Sequence, residues 1–166
     1  MHNEDLICLR LVELRDSALI FDWETDKEIG RFTERDAPLT IELIEAIIKE
    51  QRNVFDSGQV RFIVCNKHSN IPIGLVDLYN IDFITETAEV GIAIIDELNR
   101  KKGFGSAALN EIKEYAANVI GIYCLRSFVE IDNMASNILF EKLGYEIEES
   151  NVVMSDKTMN IYKIEF

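Results

Sequence analysis

The stretch Asp96-Glu97-Leu98-Asn99-Arg100-Lys101-Lys102-Gly103-Phe104-Gly105-Ser106 decides the fold. It begins where an apolar strand-like run, Thr87–Ile95, ends. It leads into a helix about four turns long, on which Ala108, Leu109, Ile112, Tyr115, Ala116 and Val119 share one face until Gly121 stops it. A strand feeding a glycine-containing loop and then a helix is a generic anion site, because the first N–H groups of the helix point outward and its dipole adds partial positive charge. Gly103 and Gly105 permit close backbone approach or positive φ. Arg100, Lys101 and Lys102 place three cations together in a chain whose 17 Lys and Arg are outnumbered by 30 Asp and Glu, a net charge of −13. That local reversal of sign points to a pyrophosphate or phosphate ester; the plain alternative is a basic loop that merely solvates a helix start. A Walker A loop needs Lys-Ser/Thr after its second glycine, and Gly105-Ser106-Ala107 lacks it. A Rossmann fingerprint belongs in the first βα turn of a chain, whereas this loop follows several antiparallel-looking strands.

Working outward, Leu6–Val12 reads as a short strand, and Asp16 as the cap of a helix carrying Ala18, Leu19, Ile20 and Trp23. Behind a charged loop with Pro38, Thr40 is a second cap. Leu43, Ile44, Ile47, Ile48, Gln51, Val54 and Phe55 then predict one amphipathic helix ending near Gly58. Val60–Cys65 and Ile71–Tyr79 read as strands about a polar turn, with Pro72 near the start of the second. Downstream, Ile122–Ile131 is a strand, and Asn133 caps a helix with Ile138, Leu139 and Leu143 that Gly144 ends. The tail forms two strands turning near Ser155-Asp156-Lys157 and ending at Met159–Phe166. The order is β-α-α-β-β-β-α-β-α-β-β. With no linker, repeat or low-complexity stretch, residues 1–166 are expected to form one domain.

Composition excludes several classes of function. Hydrophobic residues make up 48% and charged residues 28%, with 8 Gly and 2 Pro, which suits a globular fold. Nucleic acid is a poor partner for so acidic a chain, since phosphate binding draws on clustered Lys and Arg. A cationic small molecule or a basic peptide suits it better. Cys8, Cys65 and Cys124 are odd in number, widely spaced and set in apolar runs, as expected of core thiols in a reducing cytoplasm; no metal site is marked. His2 lies at the terminus and His68 in the turn Asn66-Lys67-His68-Ser69-Asn70, so Ser/His or Cys/His catalysis is not expected. The polar, acidic start Met1-His2-Asn3-Glu4-Asp5 is unlike a secretory signal, and no run approaches the roughly 18 apolar residues of a membrane span.

Arg100-Lys101-Lys102-Gly103-Phe104-Gly105 resembles the [Gln/Arg]-x-x-Gly-x-[Gly/Ala] signature of the GCN5-related N-acetyltransferases (GNAT), which lies between their fourth strand and third helix. The block from Asp132 to Tyr145, with Asn133, Ser136 and Glu141-Lys142-Leu143-Gly144-Tyr145, resembles their "Asn-x-x-Ser … Glu-Lys-x-Gly-aromatic" block. Thr87-Ala88-Glu89-Val90-Gly91-Ile92 is similar to the fourth strand of a branch that includes ribosomal-protein N-terminal acetyltransferases and spermidine/diamine acetyltransferases. The order of elements agrees from Leu6 to Phe166.

The resemblance implies an α/β (α+β) fold: a mixed, mostly antiparallel central sheet splayed between strands four and five, with about four helices on its faces. It implies acetyl-CoA as co-substrate, its pyrophosphate held by the loop from Arg100 through Lys101, Lys102, Gly103, Phe104 and Gly105 to Ser106. Its pantetheine amides would bond to Ala93, Ile94 and Ile95 as an added strand. Asn133, Ser136, Phe140 and Lys142 would line the other wall, with Asn133 also serving as an ordinary helix cap. The implied reaction is direct attack of a primary amine, on a small polyamine or a protein N-terminus, in a ternary complex. Glu89 is the candidate proton acceptor, with Glu86, Asp77 and Asp82 as reserves or as an acidic acceptor pocket. Many relatives carry Tyr where this chain has Phe140, which cannot reprotonate the departing thiolate; Tyr145, Ser136 or water would serve instead. Trp23, Phe32, Arg61 and Tyr79 are candidates for the acceptor side. A homodimer is compatible with this family. A non-catalytic acyl-CoA-binding module is the alternative function.

Overall fold

The computed structural model describes residues 6–26 and 38–166. The strands are β1 (Ile7–Leu11), β2 (Val60–Asn66), β3 (Pro72–Asp82), β4 (Thr87–Ile94), β5 (Cys124–Glu130), β6 (Glu146–Met154) and β7 (Lys157–Glu165). The helices are α1 (Ser17–Thr25), α2 (Ile41–Glu50), α3 (Val54–Ser57), α4 (Phe104–Tyr115) and α5 (Met134–Lys142).

Side chains alternate across each strand, and β2 and β3 bury both faces while β4 buries one. Phe62, Val64, Val76, Leu78, Ala88 and Val90 pack on one face with Leu109 and Ile112 of α4. Ile63, Cys65 and Leu75 on the other face pack with Ile20 of α1 and with Ile44 and Ile48 of α2. The strand order is β1-β2-β3-β4-β5-β7-β6. Every neighbouring pair is antiparallel except β4 and β5. That parallel contact covers only Thr87↔Cys124, Ala88↔Leu125 and Glu89↔Arg126. Beyond it β4 continues to Ile94 bonded to β3 alone, while β5 continues along β7. The expected splay is therefore present, and it opens a gap in the middle of the sheet.

Three local expectations are corrected. The helix expected from Leu43 to Phe55 is two helices: α2 stops at Glu50, and Asn53 restarts the chain by accepting the Phe55 N–H at 3.1 Å. The helix after the glycine loop passes into a π-turn over Ala116–Ile120. The wider turn shifts the facing of the later residues, so Ala116 stays in the core while Val119 is 61% exposed. Asp16 stands at the start of α1 without capping it. Its carboxylate instead accepts from Arg10 Nη1 and Nη2 at 2.7 and 2.8 Å and from the Glu13 N–H at 2.8 Å. Thr40 and Asn133 do cap their helices, accepting from the N–H groups of Leu43 and Ser136 at 3.2 Å each.

Burial pushes the Asp16 carboxyl up, but the bonds from Arg10 and Glu13 outweigh it and hold it below the usual range. A depressed carboxylate adds stability that is present above its unfolded pKa of about 3.9 and is lost as pH falls through its folded value. Asp16→Asn is thus expected to lower Tm at neutral pH, by roughly 2 kcal/mol of stability for the charged bonds lost. It should also reduce the further loss on acidification below about pH 4, where the native carboxylate becomes protonated. Thermal melts at both pH values check this.

Candidate active site

The gap between β4 and β5 continues into a groove of about 1580 Å³ that crosses the molecule. One wall is the outer half of β4, including Ala93 and Ile94, with Ile95 just beyond it. The loop and the start of α4 (Arg100, Lys101, Gly103, Gly105, Ser106) close one end, and Asn133, Ser136, Phe140 and Lys142 form the opposite wall. The acceptor candidates Trp23, Arg61, Asp77 and Tyr79 also line it.

The β4 edge has defined chemistry. Ile95 donates its N–H to Ile73 O at 2.9 Å, while the Glu86 carbonyl accepts from Cys124 N at 3.2 Å. Odd-numbered residues therefore direct their backbone groups to β3. Even-numbered ones direct theirs to β5, and from Val90 onward into the gap. Ile92 and the Ile94 N–H thus present an edge with no partner strand among the described residues, the Ile94 carbonyl being taken by Arg100, while Ala93 and Ile95 contribute to the wall.

At the loop, Gly103 holds φ 88° and α4 begins with no side-chain cap. A helix start left open, beside Lys101 in the lining, can bind an anion. Arg100 is used differently: its Nε and Nη2 donate to the carbonyls of Ile94 and Ile95 at 3.1 Å each, tying the loop to the end of β4. Gly105 serves packing, since a Cβ there would lie 3.3 Å from Leu139 Cδ2. Phe104 is 7% exposed and belongs to the core, and Lys102 is exposed and outside the lining.

The acceptor end is acidic. Arg61 Nε and Nη2 grip both oxygens of Asp77 at 2.8 Å, and Nη1 donates to Glu24. Burial lowers the Arg61 guanidinium's pKa, but Asp77 and then Glu24 raise it overall. Two carboxylates thus gather about one guanidinium on this wall. Glu24 escaped the sequence reading, although one signal pointed to it: it sits four residues after Ile20, on the buried face of α1. Tyr79 is pushed up to about 12 by burial, Glu89 and Asp77, in that order. Glu89 itself stands opposite Tyr79 and Arg126 without lining the groove.

Of the reserve carboxylates, Asp77 lines the groove, whereas Asp82 and Glu86 do not. Asp82 closes a turn by accepting from Ile84 and Thr85 N–H at 2.8 and 3.2 Å, bonds that lower its pKa. Glu86 holds the entry to β5 through its carbonyl. Phe140 packs edge-on to Tyr145 and stacks on Tyr162, with centroids 4.9 and 5.8 Å away. Tyr145 is buried, does not line the groove, and its hydroxyl has no hydrogen-bond partner; burial raises its pKa. Ser136 is thus the member of that pair that reaches the groove. Phe32 and His2 lie outside the described residues. Among the described residues no cluster of three metal-ligating side chains occurs, and no helix is long and apolar enough to cross a membrane.

A mixed sheet splayed beside an uncapped glycine-led helix is the architecture that the resemblance to acetyltransferases implies. The family described as "Acetyltransferase (GNAT) domain" matches residues 7–146, so the chain belongs to the GNAT acetyltransferases. It is an N-acetyltransferase. It is 25% identical over 147 residues to the spermidine N(1)-acetyltransferase of Vibrio cholerae, covering 89% of this chain and 82% of that protein. It is 27% identical over 134 residues to the acetyltransferase PseH of Campylobacter jejuni, covering 80% and 78%. Among solved structures, the Vibrio cholerae spermidine N-acetyltransferase in complex with CoA and spermine superposes with a TM-score of 0.79 at 22% identity, covering 95% of this chain and 93% of that one. A dodecameric form of that enzyme gives 0.78 at 21% identity, covering 96% and 94%.

Proposed function

We propose that this chain transfers the acetyl group of acetyl-CoA to a primary amine of a small polyamine, by direct attack within a ternary complex. The observation that carries the proposal is one continuous groove joining an anion-binding helix start and an open strand edge to an acidic acceptor wall. The uncapped first turn of α4 and Lys101 suit the pyrophosphate, the edge of Ile92 and Ile94 suits the pantetheine amides, and Asn133, Ser136 and Lys142 complete the wall. A bound thioester supplies the activated acetyl group. The side chains of this protein supply orientation and charge: Asp77 and Glu24 attract the cationic acceptor, and Trp23 gives its carbon chain an apolar surface.

A lysine-like ammonium has a pKa near 10.4 and must lose a proton before attack. Glu89 accepts it through water, since its side chain does not itself line the groove. The acidic wall and the likeness to spermidine acetyltransferases support a polyamine over a peptide N-terminus. The homodimer expected from the sequence stays part of the proposal, with Ile147, Val153 and Met154 exposed on edge strand β6; sedimentation resolves it.

Initial rates measured while both acetyl-CoA and spermidine are varied test the direct transfer. Intersecting double-reciprocal lines are expected. Parallel lines, the pattern of a covalent acetyl-enzyme, would overturn it.

A further inference from the structure

Phe140 leaves the α5 wall of the groove without a phenol, and a transferred acetyl group leaves behind a thiolate whose charge needs a donor. The groove holds another tyrosine. Tyr79 is the one tyrosine in its lining among the described residues, on the wall opposite α5. It pairs in register with Glu89, the last β4 residue paired to β5, and its Cε1 lies 3.6 Å from where a Cβ on Gly91 would stand. The ring thus lies over β4 where the two strands part. Gly91 has no side chain to separate that ring from the gap.

We propose that Tyr79 is a catalytic hydrogen-bond donor, whose phenolic O–H stabilises the charge that develops at sulfur as the acetyl group leaves. This rests on the N-acetyltransferase reading of the groove and assigns a residue to it. In the step, the amine nitrogen forms a bond to the acetyl carbon and the carbon–sulfur bond breaks, its electron pair going to sulfur. Tyr79 donates its hydrogen bond and keeps its proton. The proton lost by nitrogen reaches sulfur through solvent in the groove, so amine and thioester become amide and thiol. Burial, with Glu89 and Asp77 nearby, keeps the phenol protonated, which suits a donor that does not dissociate. The serine hydroxyls in the lining (Ser57, Ser106, Ser127 and Ser136) are weaker acids and weaker donors. Tyr145 is the control, since its hydroxyl is buried away from the lining.

Two measurements on Tyr79→Phe test the assignment, with Tyr145→Phe beside it. The first is steady-state kinetics: kcat should fall on the order of 100-fold, as for loss of one preorganised donor, with KM for acetyl-CoA unchanged. The second needs no acceptor: the thiol of bound coenzyme A is titrated by ultraviolet difference absorbance. Loss of a donor to the thiolate should raise its midpoint by about one pH unit, a tenfold change. Tyr145→Phe should match the wild type in both. An unchanged kcat, or a fallen kcat with an unmoved thiol midpoint, would overturn the assignment, the latter marking a structural role. If the wild type released no thiol with any amine, the N-acetyltransferase reading would fall, and the titration would still decide whether Tyr79 meets the sulfur.

Discussion

Gly74→Ala is expected to cost about 3 kcal/mol or more, among the larger effects of a single added methyl group. Gly74 lies in β3, opposite Val64 on β2 and Ile94 on β4. A Cβ there would stand 2.2 Å from Ala93 O and 3.2 Å from both Ala93 C and Ile94 Cα. All three are backbone atoms, so no side chain can swing aside to make room. The strand that must move is the β4 wall of the gap, and the Ile94 carbonyl it carries is the one Arg100 holds. For a domain of 150–250 residues, 3 kcal/mol corresponds to a Tm fall of roughly 6–12 °C. The account also predicts a raised KM for acetyl-CoA in the folded fraction, because the displaced edge is the one assigned to the coenzyme. Thermal melts and steady-state kinetics on one preparation check both. Wild-type Tm and KM together would mean that this contact does not set the position of β4.

Arg61→Ala should be comparably damaging for an electrostatic reason. The Glu24 side chain is only 4% exposed and that of Asp77 24%, and both bond to this guanidinium. Removing it takes a charged partner from each of two carboxylates in a half-dry wall, and breaking such a pair costs about 3–5 kcal/mol. The source of the cost is checkable by adding Glu24→Gln to Arg61→Ala: removing one of the two buried negative charges should recover part of the lost Tm. A double variant no better than the single one would assign the loss to packing of the arginine stem.

The central strands were legible because each obeys a simple burial rule. Val60–Cys65 is apolar but for Arg61 because it packs on both faces, and its apolar run names it a central strand. The helix starts at Thr40 and Asn133 were legible because a side-chain oxygen bonding an N–H three residues on is a local event. Asp16 looked the same in sequence, but Arg10, brought alongside by β1, competes for its carboxylate. The π-turn left no trace, because changing the turn of a helix alters neither its composition nor the glycine that ends it.

The site was legible as a place more than as a set of side chains. The run from Arg100 to Ser106 marked the open helix start. Whether Arg100 serves a ligand or the Ile94 and Ile95 carbonyls depends on where β4 ends in space. Phe104, read with its loop, is the first residue of α4 and turns its ring into the core. Glu24 and Asp77 are 53 residues apart in the chain, and only folding brings them to one guanidinium.

The most direct test of the central claim is release of free coenzyme A thiol from acetyl-CoA by the wild-type protein, followed across a panel of amines. The panel holds spermidine, a diamine, an aminoglycoside and peptides beginning with Ser, Ala or Met. Turnover is expected with spermidine or the diamine, and little with the peptides. Acetyl-CoA binding without thiol release for any amine would contradict it, leaving a protein that holds the coenzyme and transfers nothing.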